Sequence, residues 1–319
     1  MRLSVVVPVK DGAAYLERTL PALVAALPPG AELIVSDDGS RDASPDAARR
    51  HGARVVRSDA TAGPAAARNR GAREASGEVI AFLDADVRVH ADTLERLLSP
   101  LSDPKLAAAF GSYDAAPEAR SWVSLYKNLA HHFVHQRSAG EAQTFWAGCG
   151  AVRAEAFRSV GGFDERYARP SIEDVELGYR MRERGYRIEL VPQAQVTHLK
   201  RWTLASFLLA DLRDRAIPWA RLLRSGRGLP AGLNFSARDR AATASVGLGL
   251  LAIAAWPWLG APAGLAGAAC FAAALVFDLP FLAFAGRHVS PAFAMAAAAL
   301  HLMHRAAGLV GLVIGMLVR

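Results

Sequence analysis

Residues 79–86 read Val-Ile-Ala-Phe-Leu-Asp-Ala-Asp. Five apolar residues in a row, with Gly77 before them and two carboxylates after, form the pattern of a strand buried on both sheet faces. The same alternation continues toward the N-terminus. Pro64–Ala75 is helical and Gly77 stops it. Arg54–Arg57 is a short strand, and Ser44-Pro45-Asp46 opens a helix with a capping residue and a proline at the first helical position. Glu32–Ser36 repeats the strand pattern, Leu16–Leu27 has helical periodicity, and Leu3–Val7 is another apolar run. Strands alternating with helices predict an α/β domain with a doubly wound parallel sheet. Ligands bind such sheets beyond the carboxyl ends of the strands. The polar clusters fall there: Lys10-Asp11, Asp37-Asp38-Gly39-Ser40 and Asp84-Ala85-Asp86.

Each cluster has a chemical use. Asp84 and Asp86 at a strand end can share Mg²⁺ or Mn²⁺ with phosphate oxygens, because such hard ions prefer oxygen ligands. Asp37 and Asp38 can accept hydrogen bonds from a base or ribose, or serve as turn residues. Arg68 and Arg70 can meet phosphate charge. Farther along, Phe145-Trp146-Ala147-Gly148-Cys149-Gly150 joins aromatics to glycines that admit close backbone approach. Gly161-Gly162-Phe163-Asp164-Glu165 stops a short helix at 153–160. Ser171 is placed to cap a helix over 172–184 that begins with Glu173 and Asp174. Carboxylates there favour the helix dipole, which also keeps a general base ionised. His198 follows the apolar segment Ile188–Val196 as a candidate metal ligand.

Charge divides the chain. Of 37 Lys/Arg and 30 Asp/Glu residues, only Asp278, Arg287, Arg305 and Arg319 lie beyond residue 240. Residues 199–240 carry +6 of the total net charge of +7. Residues 1–198 have no basic excess, which argues against a nucleic-acid binder. Two cysteines, Cys149 and Cys270, make no disulfide framework and fit a reducing compartment. Only five apolar residues precede Pro8, too few for the apolar region of a signal peptide.

The apolar tail is expected to span a membrane at about 241–259, 263–285 and 292–318. Trp256 and Trp258 sit where an interfacial belt belongs. The third run carries His301, His304 and Arg305 on one face. They either form a cationic site for a lipid phosphate or snorkel to the interface. Residues 203–224 look amphipathic, with a break at Pro218. Arg213, Arg215, Arg221, Arg224, Arg227, Arg238 and Arg240 place this basic segment on the cytoplasmic side by the positive-inside rule, beside an anionic surface. The domains expected are 1–202 (nucleotide-binding), 203–240 (basic and juxtamembrane) and 241–319 (transmembrane).

Taken in order, Val-Val-Val-Pro-Val-Lys-Asp, Val-Ser-Asp-Asp-Gly-Ser, Ala-Ala-Arg-Asn-Arg-Gly, strand-Asp-Ala-Asp, Gly-Gly-Phe-Asp-Glu and Glu-Asp-Val-Glu-Leu resemble the family-2 glycosyltransferases over residues 3–203. The resemblance implies the Rossmann-like GT-A fold, which binds nucleotide sugars. It also implies that Pro8, Val9, Asp11 and Asp38 line the nucleoside pocket, with Arg68 and Asp84 near the donor. Asp86 would be the principal metal carboxylate, and His198 would complete the metal or diphosphate site. Asp174 matches the family's base, with Glu173 beside it. Trp146, Gly148, Arg201 and Trp202 are the acceptor-side candidates. The implied reaction is metal-dependent, with Mg²⁺ or Mn²⁺, and inverts the anomeric centre in one displacement.

The chain also departs from the family. Processive members carry Gln-x-x-Arg-Trp, whereas here the run is His198-Leu-Lys-Arg-Trp202. Three spans are also few for a polymer channel. Both features point to transfer of a single sugar to a lipid or lipid-linked acceptor at the cytoplasmic face of the inner membrane. One alternative is a polyprenyl-phosphate glycosyl synthase, whose phosphate acceptor Asp174 would orient. Another is a non-catalytic nucleotide-sugar-binding membrane protein. A homo-oligomer is left open.

Overall fold

The computed structural model describes residues 1–226 and 236–318. Arg227 and Arg319 lie outside the described residues. The chain forms two compact units, residues 1–119 with 135–200 and residues 120–134 with 201–319.

The first unit is built on one nine-stranded mixed sheet. Its first half runs β1 (Leu3–Val9), α1 (Ala13–Ala26), β2 (Glu32–Asp37), α2 (Ser44–Arg50), β3 (Arg54–Arg57), α3 (Pro64–Glu74) and β4 (Val79–Leu83). There follow β5 (Val87–Val89), α4 (Thr93–Leu98) and β6 (Leu106–Tyr113). Then α5 (Trp122–Gln136), β7 (Gly140–Ala142), β8 (Cys149–Arg153), α6 (Ala154–Ser159), α7 (Glu173–Glu183) and β9 (Arg187–His198) complete the unit's span. The spatial order is β3-β2-β1-β4-β8-β6-β9-β5, with β7 on β9.

The expected parallel sheet holds for β3, β2, β1 and β4. Beyond β4 it does not. β8 is antiparallel to both β4 and β6, β5 and β7 are antiparallel to β9, and only β6 and β9 run parallel. For β5 the reason is local: no helix separates it from β4, so residues 84–86 make a tight turn, with the Val87 amide donating to the Asp84 carbonyl at 3.2 Å. Both faces of the central strands are covered, and every residue of β4 is buried. That accounts for the continuous apolar run. The switch from parallel to antiparallel pairing lies beside β4, so the Asp84–Asp86 turn stands at the crevice where such sheets take ligands.

The second unit contains most of α5, which the sequence reading had kept with the nucleotide-binding domain. It also holds α8 (Leu204–Leu209) and α9 (Ile217–Arg224), joined by a π-helical stretch over Ala210–Ala216. The expected break at Pro218 is therefore absent. The chain widens into π-helix instead, and Pro218 follows directly after it at the start of α9. Three long helices follow, α10 (Ala237–Leu259), α11 (Ala261–His288) and α12 (Pro291–Leu317). With 23, 28 and 27 residues they are long and apolar enough to cross a membrane. Each begins a few residues before its expected start, or ends beyond its expected end, because the bounding Gly, Pro and basic residues were read as breaks.

The polar residues of α12 all turn to protein partners. Arg305 makes a two-pronged pair with Asp278 of α11, with nitrogen–oxygen distances of 2.5 and 3.1 Å. Its remaining nitrogen reaches Thr243 and the Asp239 carbonyl on α10. His301 hydrogen-bonds the Tyr126 hydroxyl at 2.8 Å, and His304 meets Asp211 of the π stretch at 2.5 Å. Lys127 of α5 also pairs with Asp211. The lipid-phosphate reading of His301, His304 and Arg305 is thereby replaced. Their polar groups are answered within the unit, as burial of polar groups requires. Asp211 itself is held well below the usual carboxylate range. Burial opposes this, but the His304 hydrogen bond and the Lys127 charge outweigh it. On the same helix Gly311 and Gly315 admit close packing. A Cβ on either would come within 2.6 Å of Ala216 or of Ala220.

Candidate functional site

Four segments of the first unit converge around the 84–86 turn. Asp84 leaves β4, Asp86 leads into β5, His198 ends β9, and α7 begins at Glu173. His198 is in register with Val87, and the Leu199 amide donates to the Asp86 carbonyl at 2.9 Å. This pairing brings His198 Nε2 to 3.7 Å from Asp86 Oδ2. The imidazole lies flat on Tyr113, with ring centroids 4.4 Å apart, and Trp146 meets Tyr113 edge-on at 4.9 Å. Among the described residues no three His, Cys, Asp or Glu side chains stand close enough to hold a metal by themselves.

Asp84 and Asp86 differ electrostatically. Burial raises Asp84, and the Asp86 charge adds to this against the opposing pull of Arg68. Burial also acts on Asp86, but the His198 hydrogen bond and the His198 and Lys200 charges outweigh it and hold Asp86 low. A ligand cation or polarised donor would therefore find one firmly ionised carboxylate beside one that is reluctant to ionise.

Arg68 projects from α3 and is buried. Nη1 donates to Glu173 Oε1 and Nη2 to Asp84 Oδ1, both at 2.7 Å. The guanidinium also lies 5.5 Å from the Phe163 ring centre. Its two donor edges are thus given to protein carboxylates, and its buried Nε has no partner. The second oxygen of Glu173 accepts from the Ser171 amide at 2.8 Å. The cap position of α7 falls on Ile172 rather than on Ser171, because Glu173 folds back over that turn.

Asp174 occupies the first turn of α7. Its oxygens accept from the Ala147 amide at 3.1 Å and from the Val175 amide at 2.8 Å. Burial, reinforced by the Glu173 charge and opposed by Arg68, pushes its carboxyl up to about 7. Gly148 of the same loop accepts from the Asp84 amide at 3.2 Å. One loop, 146–148, thus touches both the 84–86 turn and the start of α7.

The β1 and β2 ends form a second cluster. Asp11 has the left-handed φ of 49°, which an Asp tolerates better than most residues. It is fastened by its amide to Ser40 Oγ at 2.8 Å and by Oδ1 to the Arg41 amide at 2.7 Å. Asp38 is buried, and its carboxylate accepts from the Gly63 amide at 2.8 Å and the Ala62 amide at 3.1 Å. Gly63 takes φ +97° there, and a Cβ would strike the Ala168 carbonyl at 2.4 Å. Pro8 and Val9 end β1 in register with Ser36 and Asp37. Trp146 and Gly148 lie in this first unit, whereas Arg201 and Trp202 belong to the second. There the Trp202 amide donates to Ser124 at 2.8 Å.

Residues 4–161 match the family model described as glycosyl transferase family 2. The chain belongs to glycosyltransferase family 2. Residues 127–202 also match a model described as the N-terminal domain of galactosyltransferase. The pre-mycofactocin glycosyltransferase of Mycobacterium tuberculosis is 31% identical over 215 residues, 65% of this chain and 44% of that protein. The chain thus spans less than half the length of that relative. The N-acetylglucosaminyl-diphospho-decaprenol L-rhamnosyltransferase of the same organism is 29% identical over 222 residues, 58% of this chain and 72% of that protein. A mannosyltransferase from Pyrobaculum calidifontis, solved with GDP-Man and Mn²⁺, shares the fold. Its TM-score is 0.60 at 20% identity, covering 99% of this chain and 87% of that one.

Within this family 2 domain the sequence reading missed Asn69. Its amide donates to the Phe163 carbonyl and Glu165, and its oxygen accepts from the Phe163 amide at 2.8 Å. Asn69 thus pins the Gly-Gly-Phe-Asp-Glu loop to α3. Its place next to Arg68 in Ala-Arg-Asn was the available signal. Tyr113, the platform for His198, carried no signal beyond its position at a strand end.

Proposed function

We propose that this protein is a membrane-bound inverting glycosyltransferase. It moves one sugar from a nucleotide-diphosphate sugar to a hydroxyl of a lipid or lipid-linked acceptor at the cytoplasmic face. The observation that carries the reading is the place of Asp174, in the first turn of α7 and fastened to the loop that also meets Asp84; burial and the Glu173 charge raise its carboxyl above the usual range. A general base works best with a pKa near the operating pH. A hydroxyl acceptor needs such a base, whereas an acceptor phosphate does not, so this observation favours the hydroxyl. The decaprenol-linked relative and the three apolar helices support a lipid-borne acceptor. The arginines preceding α10 support a cytoplasmic first unit.

In this reading Asp174 takes the proton of the acceptor hydroxyl as its oxygen bonds the anomeric carbon. The bond from that carbon to the diphosphate breaks on the opposite face, and the nucleoside diphosphate leaves with the electron pair. Pro8, Val9, Asp11 and Asp38 line the nucleoside side, Asp38 by bracing the 62–63 turn. Asp86 and His198 offer one oxygen and one nitrogen donor at 3.7 Å. This set fits Mg²⁺ or Mn²⁺ if diphosphate oxygens and water complete the shell. Such an ion would offset the charge of the departing diphosphate. The Tyr113 ring stacks on His198, and Trp146 braces Tyr113 edge-on.

The test is nucleoside diphosphate release by the detergent-purified protein across a panel of nucleotide sugars. It is run with Mn²⁺ or EDTA, and with or without a membrane lipid extract. Release is expected to need metal and to rise with lipid. Asp174→Asn should bind donor and lose transfer, and Asp86→Asn should lose metal-dependent donor binding. Full transfer by Asp174→Asn would overturn its role as base.

A further inference from the structure

Arg68 touches two of the site's carboxylates, Asp84 and Glu173. We propose that Arg68 is a positioning residue that ties the donor-side Asp84, at the end of β4, to Glu173, at the start of α7, and so sets where Asp174 stands. The inference rests on the transferase reading for its catalytic consequence but on geometry for its substance.

Three observations carry it. The two 2.7 Å bonds use the two terminal nitrogens of one planar group, so Asp84 and Glu173 are held at a distance fixed by the guanidinium. Glu173 is not free to act as a second base. One oxygen is held by Arg68 and the other by the Ser171 amide, and its side chain is only 5% exposed. Third, α7 has no side-chain cap, so its first turn is fastened by the Arg68–Glu173 bond to α3 and by the Asp174–Ala147 bond to the 146–148 loop. Glu173 is then a tuner of its neighbour rather than a proton carrier. Its charge makes ionisation of Asp174 harder, while the Arg68 charge makes it easier. The groups facing Asp174 on this count are Glu173 on its own helix and Arg68 on α3, with the Ala147 and Val175 amides hydrogen-bonded to it.

The full-length protein is tested as Arg68→Lys, Arg68→Gln and Glu173→Gln. Two readouts are taken, the pH profile of kcat and amide hydrogen exchange over residues 171–176. Arg68→Lys keeps the charge and loses the fork. It should lower kcat about 10- to 100-fold, as misplacement of a reacting group does. The acid limb of its profile should stay in place. Glu173→Gln should move that limb to lower pH by about one unit, and Arg68→Gln should move it to higher pH. Exchange at 171–176 should rise at least tenfold in Arg68→Lys, while exchange in β1 and β2 stays as in the unsubstituted protein.

Wild-type exchange at 171–176 in Arg68→Lys would overturn the positioning claim, whatever the activity. Limbs that shift in the same direction in Arg68→Gln and Glu173→Gln would overturn the tuning claim. If Asp174→Asn keeps transfer while Arg68→Lys loosens 171–176, the transferase reading of Asp174 fails and the positioning role of Arg68 stands.

Discussion

Substituting Asp278 with alanine removes the carboxylate that answers Arg305 between α11 and α12. Asp278 and Arg305 are 5% and 8% exposed, so the arginine cannot recover its lost bonds from water. It would lose partners at 2.5 and 3.1 Å and keep Thr243 at 2.9 Å, the Asp239 carbonyl at 3.2 Å and the Asp239 carboxylate at 3.5 Å. Removing one member of a buried pair costs about 3–5 kcal/mol. The surviving contacts on α10 place Asp278→Ala at the lower end, about 3 kcal/mol. Replacing both partners by leucine leaves no orphaned charge, and such exchanges are neutral to within about 1 kcal/mol or stabilising. The double variant Asp278→Leu/Arg305→Leu should therefore be more stable than Asp278→Ala by about 2 kcal/mol or more. The assay is equilibrium unfolding in bicelles followed by tryptophan fluorescence, with both variants compared at one lipid ratio. A loss under about 1 kcal/mol for Asp278→Ala, or a double variant as unstable as the single, would refute the pairing argument.

Two further outcomes follow from packing and from linkage. Gly311→Leu should cost about 1–3 kcal/mol in the same unfolding assay. Its Cβ alone would stand 2.4 Å from that of Ala216. Gly308→Leu meets nothing within 4 Å and should be near neutral. Equal losses at the two positions would count against close packing of α12 on the π stretch. The Asp174 carboxyl stands at about 7 in the folded protein against an ordinary 3.8. Ionisation is therefore harder in the folded state, and the residue costs stability increasingly as pH rises from 3.8 through 7. Asp174→Asn should stabilise the protein more at pH 8 than at pH 4, by about a few kcal/mol at most in unfolding free energy. An equal gain at both values would remove the linkage.

The strand ends and their carboxylates were legible because they are local. A run such as Val79–Leu83 followed by Asp84 and Asp86 carries its own boundary. Strand direction beyond β4 was not legible. A buried strand reads the same in either sense, and the aspartates of the tight 84–86 turn read first as metal or donor ligands rather than as a chain reversal. The role of Arg68 was half legible: its place near the donor could be read, but its division between Asp84 and Glu173 joins segments 16 and 105 residues away. The polar residues of α12 were misread for the same reason. Their partners, Tyr126, Asp211 and Asp278, are far apart in sequence, and Asp211 turns inward on a π-helical stretch that periodicity does not reveal. Asp38 looked like a ligand-facing acceptor because the backbone amides of Ala62 and Gly63, which it serves, leave no mark on residue type.

The path of α5 has a consequence for dissecting this molecule. The chain passes from the first unit to the second at residue 120, returns at 135 and leaves again at 201. A fragment ending at residue 200 would therefore not be a soluble enzyme core. It would carry Tyr126 and Lys127 without His301 and Asp211, and the apolar face of α5 without its cover. The second unit, in turn, is not a detachable tail but a body assembled from two separate stretches of chain.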